Sequence, residues 1–583
     1  MTAILGVSCY FHDAAAALVR DGVLVAAAEE ERFSRRKHDS GFPAHAIDFC
    51  LEQGGLARGQ LDWVVFYEKP VVKLRRIAAT VLATAPHGRA PFVRTVEAWA
   101  GERLRIRRRL AERLGIPRER VLFVDHHLAH AASAFLASPF EEAALLTVDG
   151  VGEWTTAAIG RGADGAVTLD RGIRFPHSLG LFYSAFTAFL GFEVNEGEYK
   201  VMGMAPYGEP RLVDEVRRTI DLHDDGSFSL DLDFFAFHRS LARPYSPRFE
   251  ELFGVPAKDP AAPFVTRETH PDATRAELER SRVYADIAAS AQAVLEDAVV
   301  ALAREAHRRT GSDSLCLAGG VALNGVANRR ILERTPFVHM FVPPAPGDSG
   351  GAVGAALYAD HVLLGRPRRF VMEHAYWGRA YARAEIDDAL QAHGATFERL
   401  GEEALCERVA GELAAGRVVG WFQGRFEWGP RALGNRSILA DPRSPAMKAR
   451  VNETVKFREP FRPFAPSVLG DRAGELVDPA AAEQLATRFM LLVLPLNDGA
   501  GETVPAVDHF GTARVQTVRA EWNPLYYGLI SAFADRTGVP ALLNTSFNLR
   551  GEPIVASPAD ALSTFARSDL DLLVLGNAVV RKR

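Results

Sequence analysis

Short apolar runs alternate with amphipathic stretches along the whole chain, the pattern of an α/β protein. Ile4 to Ser8, Ala14 to Val19 and Val23 to Ala28 read as strands, and Asp21-Gly22 between the last two is a hairpin turn. Pro43 to Leu56 is helical in period, and Leu61 to Tyr67 is a further strand. From Val124 the pattern is again helical and carries His126 and His130, one turn apart on one face. An apolar strand, Ala143 to Val148, follows and ends at Asp149-Gly150, with Thr155 to Gly160 as its neighbour. Tyr284 to His307 is a long amphipathic helix leading to the strand that ends at Gly319-Gly320. Val338 to Gly354 is a strand entering Asp348 and a glycine-rich turn before a helix. Asn195 to Gly208 is expected to be an ordered active-site loop rather than core, and Leu222 to Thr266 an irregular excursion or lid. A composition shift between Arg366 and Tyr381 marks a domain boundary. Beyond it come the helix Glu403 to Ala415, the strand Val418 to Phe422, and the strand of Ala541 to Gly551 with its Asn-Thr-Ser-Phe-Asn turn.

Several strand–turn units with acidic residues at their ends suggest a duplicated nucleotide-binding fold of the actin/Hsp70 kind. Two imidazoles one turn apart, with a carboxylate at the mouth of a strand, form the nucleus of a divalent-metal site suited to zinc, iron or nickel. The plainer alternative is a helix-capping Asp149 near two surface histidines. Glycines at the turns admit close approach of backbone N–H groups to phosphates. Glu29 to Phe33, followed by Arg35, Arg36, Lys37 and His38, reads either as a solvated loop or as a polar wall near an anionic ligand. In Gln423 to Ser437, Arg425, Arg431 and Arg436 surround Gly429-Pro430, and Lys456, Arg458 and Arg462 follow. Guanidinium forks match phosphate and carboxylate oxygens, so this region is a candidate anion site. Gly347 to Gly351 spells the nucleophile signature of trypsin-like proteases, but it stands in an α/β pattern without the accompanying histidine segment. Asp348, not Ser349, is the residue of interest there.

With 583 residues the chain needs more than one core. A net charge of -5 argues against a dedicated nucleic-acid binder, and the basic stretch Lys73 to Arg120 lacks the interleaved aromatics of a stacking platform. The four cysteines are far apart with no C-x-x-C, so neither a disulfide framework nor a thiolate zinc site is suggested. The N-terminus has no basic signal region and no apolar run is long enough to span a membrane, so a cytoplasmic location is expected.

Phe11-His12-Asp13-Ala14, Glu30-Glu31-Arg32-Phe33, His126-His127-Leu128-Ala129-His130-Ala131 and Val148-Asp149-Gly150 together carry a family likeness. It continues through Lys200-Val201-Met202-Gly203, Ala318-Gly319-Gly320-Val321, Gly429 to Gly434, Arg462 to Pro466 and Asn544 to Asn548. In these segments the chain resembles the O-carbamoyltransferases of the nodulation and antibiotic family, which includes tobramycin, cephamycin and ansamycin carbamoyltransferases. The resemblance implies an actin/Hsp70-like carbamoyl-transfer domain over residues 1–368. It implies an α/β carbamoyl-adenylate-forming domain, similar to threonylcarbamoyl-AMP synthase, over 369–583. It further implies His126, His130, Asp149 and Asp348 as metal ligands, with iron the expected ion and magnesium accompanying ATP. His12 is implied as the base that takes the acceptor proton, and Lys456 as the catalytic lysine of the second domain. Lys200, Gly150, Gly319, Gly320 and Asn324 are the candidates on the nucleotide side of the first domain. Arg425, Arg431, Arg436, Arg462, Asn544 and Ser546 are candidates for carbamoyl phosphate and the ATP triphosphate. The expected partner is a small-molecule hydroxyl acceptor, with no nucleic acid and no membrane; oligomeric state is left open. Val194 to Lys200 departs from the tobramycin-type loop, so an aminoglycoside acceptor is not implied. The competing readings are a tRNA-modifying threonylcarbamoyl-type transferase and a non-enzymatic, nucleotide-gated binding protein.

Overall fold

The computed structural model describes residues 2–84, 103–240 and 242–582; part of the basic stretch after Lys73, residues 85–102, lies outside the described residues. The chain divides into two compact units. The first comprises Met1–Tyr10, Ala17–Leu24 and Gly55–Val371; the second comprises Phe11–Ala16, Val25–Gly54 and Met372–Arg583.

Two five-stranded sheets occur in the N-terminal two-thirds of the chain. The strands of one are β1 (Ala3–Ser8), β2 (Ala15–Arg20), β3 (Val23–Glu29), β4 (Trp63–Phe66) and β5 (Val121–Phe123), in the order β3-β2-β1-β4-β5. After β6 (Glu142–Val148), β7 (Thr155–Ala163) and β8 (Ala166–Arg174) comes a small hairpin of β9 (Ile220–Leu222) and β10 (Phe228–Leu230). With β11 (Ser314–Ala318) and β12 (His339–Phe341) the second sheet has the order β12-β11-β6-β7-β8. The same plan appears in both: the first strand, β1 or β6, pairs in parallel with a later strand (β4 or β11), which pairs in parallel with the next. Asp21 and Gly22, at φ 49° and 83°, form the β2–β3 turn as their sequence requires.

Glycine sets how closely the layers approach. A Cβ on Gly6 of β1 would lie 1.8 Å from the Ala352 carbonyl oxygen, and one on Gly354 would lie 1.8 Å from that of Ala129. The helix Gly350–Tyr358 therefore packs backbone-to-backbone against β1 and against the helix His126–Phe135. The 36-residue helix Arg275–Thr310 begins in a Thr274/Glu277 capping box and stops at Gly311 in the left-handed region.

Two sequence expectations change. Glu198–Met204 is a helix rather than a loop, because Val201 and Met204 turn to the core on one face. The stretch from Leu222 is not a bare excursion either: Phe234, Phe235, Phe249 and Phe253 are buried and meet Phe182, Phe186 and Phe189 in an aromatic cluster. Its apolar residues are spaced irregularly, so neither helix nor strand period reveals them.

The second unit is built on an eight-stranded mixed sheet. Its strands are β13 (Phe397–Arg399), β14 (Val419–Phe422), β15 (Arg436–Ala440), β16 (Ala465–Leu469), β19 (Gln516–Val518), β20 (Ala541–Ser546), β21 (Leu572–Leu575) and β22 (Ala578–Arg581); a two-stranded ribbon of β17 (Leu494–Pro495) and β18 (Thr512–Ala513) stands apart. The order is β13-β22-β21-β14-β15-β20-β16-β19. Glu29 to Arg35 belongs to this unit and is no solvated loop. Arg32 is 2% exposed and donates to the Gly429 carbonyl, while the Glu29 carboxylate accepts the Gly429 N–H. The Glu30 carboxylate accepts the N–H of Ala46 and binds His45 at the start of the helix Ala44–Gly54.

Candidate metal centre and anion site

The helix His126–Phe135 starts without a side-chain cap from Asp125; its first N–H donates instead to both oxygens of Glu153, at 3.2 Å each. His126 and His130 project from one face of this helix, Asp149 follows β6, and Asp348 stands just before the helix Gly350–Tyr358. All four side chains are buried, and one ligand atom from each lies within 4.8 Å of the others. His126 Nε2 is 3.1 Å from Asp149 Oδ2, 3.5 Å from Asp348 Oδ1 and 3.0 Å from His130 Nε2. His130 Nε2 is 3.6 Å from Asp348 Oδ1. The alternative of surface histidines is thereby excluded.

This donor set fits a divalent cation. An Nε2–Nε2 contact accommodates at most one proton between the two rings, whereas a cation among the four atoms takes a lone pair from each. The second oxygens of both carboxylates are oriented: Asp149 Oδ1 accepts the Gly320 N–H at 2.8 Å, and Asp348 Oδ2 accepts from the Tyr67 hydroxyl at 3.4 Å. Burial opposes charge on His126, but the Asp348 and Asp149 carboxylates outweigh it and hold its pKa at about 9. Burial likewise works against the Asp149 carboxylate, yet its bond to His126 and the His130 imidazole keep it well below the ordinary range. His127, between them in sequence, is a packing residue: its nitrogens meet Thr147 Oγ1 at 2.7 Å and the Thr155 carbonyl at 2.8 Å, and burial beside two imidazoles pushes it down to about 3.

The nucleotide-side candidates are dispersed. Gly319 has φ 96°, and its Cβ would fall 2.2 Å from the Val148 carbonyl oxygen, so only glycine fits. Gly320 directs its N–H at Asp149. Gly150 presents its carbonyl to Ser178 Oγ at 2.7 Å. Asn324 caps the helix Gly325–Arg334 and exchanges hydrogen bonds with Gln292. Lys200 lies over the Phe192 ring at 5.6 Å.

In the second unit the structure separates the arginines that the sequence groups. Arg436 is fully buried on β15, stacks 3.6 Å from the Phe422 ring centroid, and donates to the carbonyls of Gln423, Gly424, Asn435 and Arg379. Burial pushes its pKa down to about 10. Arg425 donates to the carbonyls of Val25, Trp377 and Gly378. Both are structural donors holding loop backbone. Asn544 is likewise inside a network with Ala432, Ser467 and Gln516.

Lys456 and Ser546 are brought together. A short π-helical turn, Val451–Lys456, ends at Phe457 with φ 47°, and the Lys456 ammonium is directed inward. It donates to the Ser546 carbonyl at 2.7 Å, the Asn548 carbonyl at 2.8 Å and Asn548 Oδ1 at 2.6 Å, with Ser546 Oγ at 3.3 Å. Burial, reinforced by the charges of Arg458, Arg462 and Lys37, depresses its pKa well below the usual lysine value. Arg462 stands by Glu459 at 3.4 Å. Arg431, half-buried, follows Pro430.

His12 forms a separate cluster in the second unit. His12 Nδ1 lies 2.6 Å from Asp13 Oδ2, and His38 Nδ1 lies 2.8 Å from Asp13 Oδ1. Sequence reasoning did not single out Glu153 or Tyr67, and it named His38 and Asn548 only as members of longer polar stretches. Tyr67 and Glu153 come from elements distant in sequence from the groups they bind.

The protein thus combines mixed α/β architecture with a buried His2Asp2 cluster in one unit and, in the other, a buried lysine held by the Ser546–Asn548 turn. Residues 3–357 match the carbamoyltransferase N-terminus family and residues 410–582 the carbamoyltransferase C-terminus family. The chain belongs to the carbamoyltransferase family and is an enzyme of that class. An uncharacterized protein of Synechocystis sp. is 44% identical over 100% of this chain and 97% of its own length. Nodulation protein NolNO of Sinorhizobium fredii is 38% identical over 98% of this chain and 79% of that one. The 3'-hydroxymethylcephem-O-carbamoyltransferase of Amycolatopsis lactamdurans is 36% identical over 45% of this chain and 48% of that one. Among the described residues, no helix is long and apolar enough to cross a membrane.

Proposed function

We propose that this carbamoyltransferase is ATP-dependent and makes an O-carbamate on a small-molecule hydroxyl acceptor by way of carbamoyl-adenylate. The reading is carried by the convergence of four ligand atoms from His126, His130, Asp149 and Asp348 in a chain of this family. Activation consumes carbamoyl phosphate, ATP and water and yields carbamoyl-adenylate, phosphate and pyrophosphate. In transfer, the acceptor oxygen forms a bond to the carbamoyl carbon, the bond from that carbon to the adenylate oxygen breaks, and AMP leaves with the electron pair.

Activation belongs to the unit that holds Lys456. There Lys456, Ser546 and Asn548, with Arg431 and Arg462, bind the phosphate oxygens, while Arg425, Arg436 and Asn544 keep the surrounding backbone in place. Gly150, Gly319, Gly320, Asn324 and Lys200 shape the nucleotide side of the other unit. His12 accepts the proton of the acceptor hydroxyl, with Asp13 fixing its Nδ1–H and stabilising the imidazolium. A divalent ion held by His126, His130, Asp149 and Asp348, iron by expectation, supplies Lewis-acid stabilisation of the phosphate charge. Tyr67 and Gly320 orient the two carboxylates, and magnesium accompanies the ATP. The fold of residues 1–368 is, on this reading, the duplicated actin/Hsp70-like architecture, supported by the shared strand plan of the two five-stranded sheets. Residues 369–583 are the adenylate-forming α/β domain.

Mass spectrometry of the purified enzyme with ATP and carbamoyl phosphate, without acceptor, tests the reading. Carbamoyl-adenylate and pyrophosphate are expected. Formation of ADP and phosphate alone, independent of carbamoyl phosphate, would refute it.

A further inference from the structure

Resting on the reading of His12 as the proton acceptor, we infer that His38 is a positioning residue for it, acting through their shared carboxylate, Asp13. The two imidazole rings lie 4.8 Å apart, and each directs Nδ1 at a different oxygen of Asp13, at 2.6 and 2.8 Å. Both separations are those of charge-assisted N–H···O hydrogen bonds, shorter than the roughly 3 Å between ligand atoms around a common ion. An ionised carboxylate only accepts, so both rings carry a proton on Nδ1, and in a neutral ring the lone pair is then on Nε2. Burial works against the Asp13 charge, but the two imidazoles hold its carboxyl well below the usual range.

The backbone is built around this clamp. Asp13 has φ 39° and His38 φ 53°, conformations that cost free energy in non-glycine residues and persist where the surroundings enforce them. The His38 N–H donates to Glu31 Oε2 at 2.9 Å, and the Ala14 N–H donates to the Asp39 carbonyl at 2.8 Å. Asp39 is itself held by Arg36 at 2.8 Å and by the Gly41 N–H at 2.9 Å. His38 Nε2 is buried and has no hydrogen-bond partner among the described residues. Of its two ring nitrogens, His38 satisfies only the one that grips Asp13. With one oxygen pinned by His38, Asp13 cannot swing away, and its other oxygen fixes His12 in the tautomer whose Nε2 is basic.

The experiment uses the full-length enzyme with ATP and carbamoyl phosphate in single turnover, water serving as the acceptor. Pyrophosphate reports activation, AMP reports transfer, and nitrogen-15 NMR of labelled histidines reports the His12 tautomer. The variants are His38→Ala, His38→Asn, whose amide N–H can replace the lost donor, and His12→Ala. In His38→Ala, AMP release is expected to fall about ten- to a hundredfold with pyrophosphate formation unchanged, and His12 to become a mixture of tautomers. His38→Asn should recover most of the rate and the single tautomer. Unchanged AMP release and tautomer in His38→Ala, alongside loss of transfer in His12→Ala, would overturn this inference alone. Equal losses of pyrophosphate and AMP, or no recovery in His38→Asn, would overturn it in favour of a role in folding. Unchanged transfer in His12→Ala would remove the premise and overturn both readings. Metal content per chain should be the same in all variants; loss of one ion per chain in His38→Ala would replace the clamp by a second ion site.

Discussion

Replacing Gly354 by alanine should weaken binding of a divalent ion at the proposed His126/His130/Asp149/Asp348 centre without touching any of those four residues. The added Cβ would lie 1.8 Å from the Ala129 carbonyl oxygen and 2.8 Å from the Ser133 nitrogen, both in the backbone of the helix that carries His126 and His130. Ordinary contact is about 3.5 Å, so the two helices must separate by roughly 1.5 Å. Gly354 lies in the helix that begins two residues after Asp348, so Asp348 moves with it. Metal–ligand distances tolerate only about 0.2 Å, and the displacement is several times that. Partial relaxation leaves an expected loss of ten- to a hundredfold in affinity, or about 1.4 to 2.8 kcal/mol, with about 1 to 3 kcal/mol of overpacking strain in the fold. Chelator competition on the purified protein measures the metal Kd, and circular dichroism checks that the helices persist. Gly401→Ala is the control, since a Cβ there meets nothing within 4 Å and its φ of -67° suits any residue. A Gly354→Ala protein that folds and binds its metal within twofold of the parent would show that helix spacing does not set the site.

Two further outcomes follow from the second unit. Burial, opposed by Arg32, raises the Glu29 carboxyl from 4.5 to about 7. A group whose folded pKa is raised contributes stability that is complete below its unfolded pKa and lost as pH rises through the folded one. Stability of this unit to urea should therefore fall by up to about 3 kcal/mol between pH 4.5 and 7. Glu29→Gln should flatten that slope; an unchanged slope would place the titration elsewhere. Lys456→Met should cut pyrophosphate formation at least a hundredfold while metal content stays at the parent value, measured by single-turnover assay and elemental analysis. Full pyrophosphate formation in that variant would remove Lys456 from the activating site.

Much of the His–Asp cluster can be read from the sequence because the signals for its residues are local. His126 and His130 share a face by helical period, and Asp149 and Asp348 each stand where an apolar run ends. The strands β1, β2, β3, β6 and β11 and the long helix before β11 follow from apolar period and from turn residues such as Asp21-Gly22. What period cannot supply is partnership across distance. Tyr67 and Gly320 orient the carboxylates from elements 281 and 171 residues away, and nothing near Asp348 or Asp149 announces them.

The arginines make the same distinction from the other side. Arg425, Arg431 and Arg436 look alike in the sequence, each a cation beside turn residues. Only tertiary structure separates them, by which carbonyls come within reach: Arg436 is enclosed by four, Arg425 by three. The grouping of Phe11–Ala16 and Val25–Gly54 with the C-terminal residues is equally invisible in chain order. Local sequence thus determined the elements and the identity of the donor atoms, because backbone period and turn conformation depend on near neighbours. The tertiary structure decided which donors face a shared centre and which are consumed by backbone, because hydrogen-bond partnership is settled by packing between segments far apart in the chain.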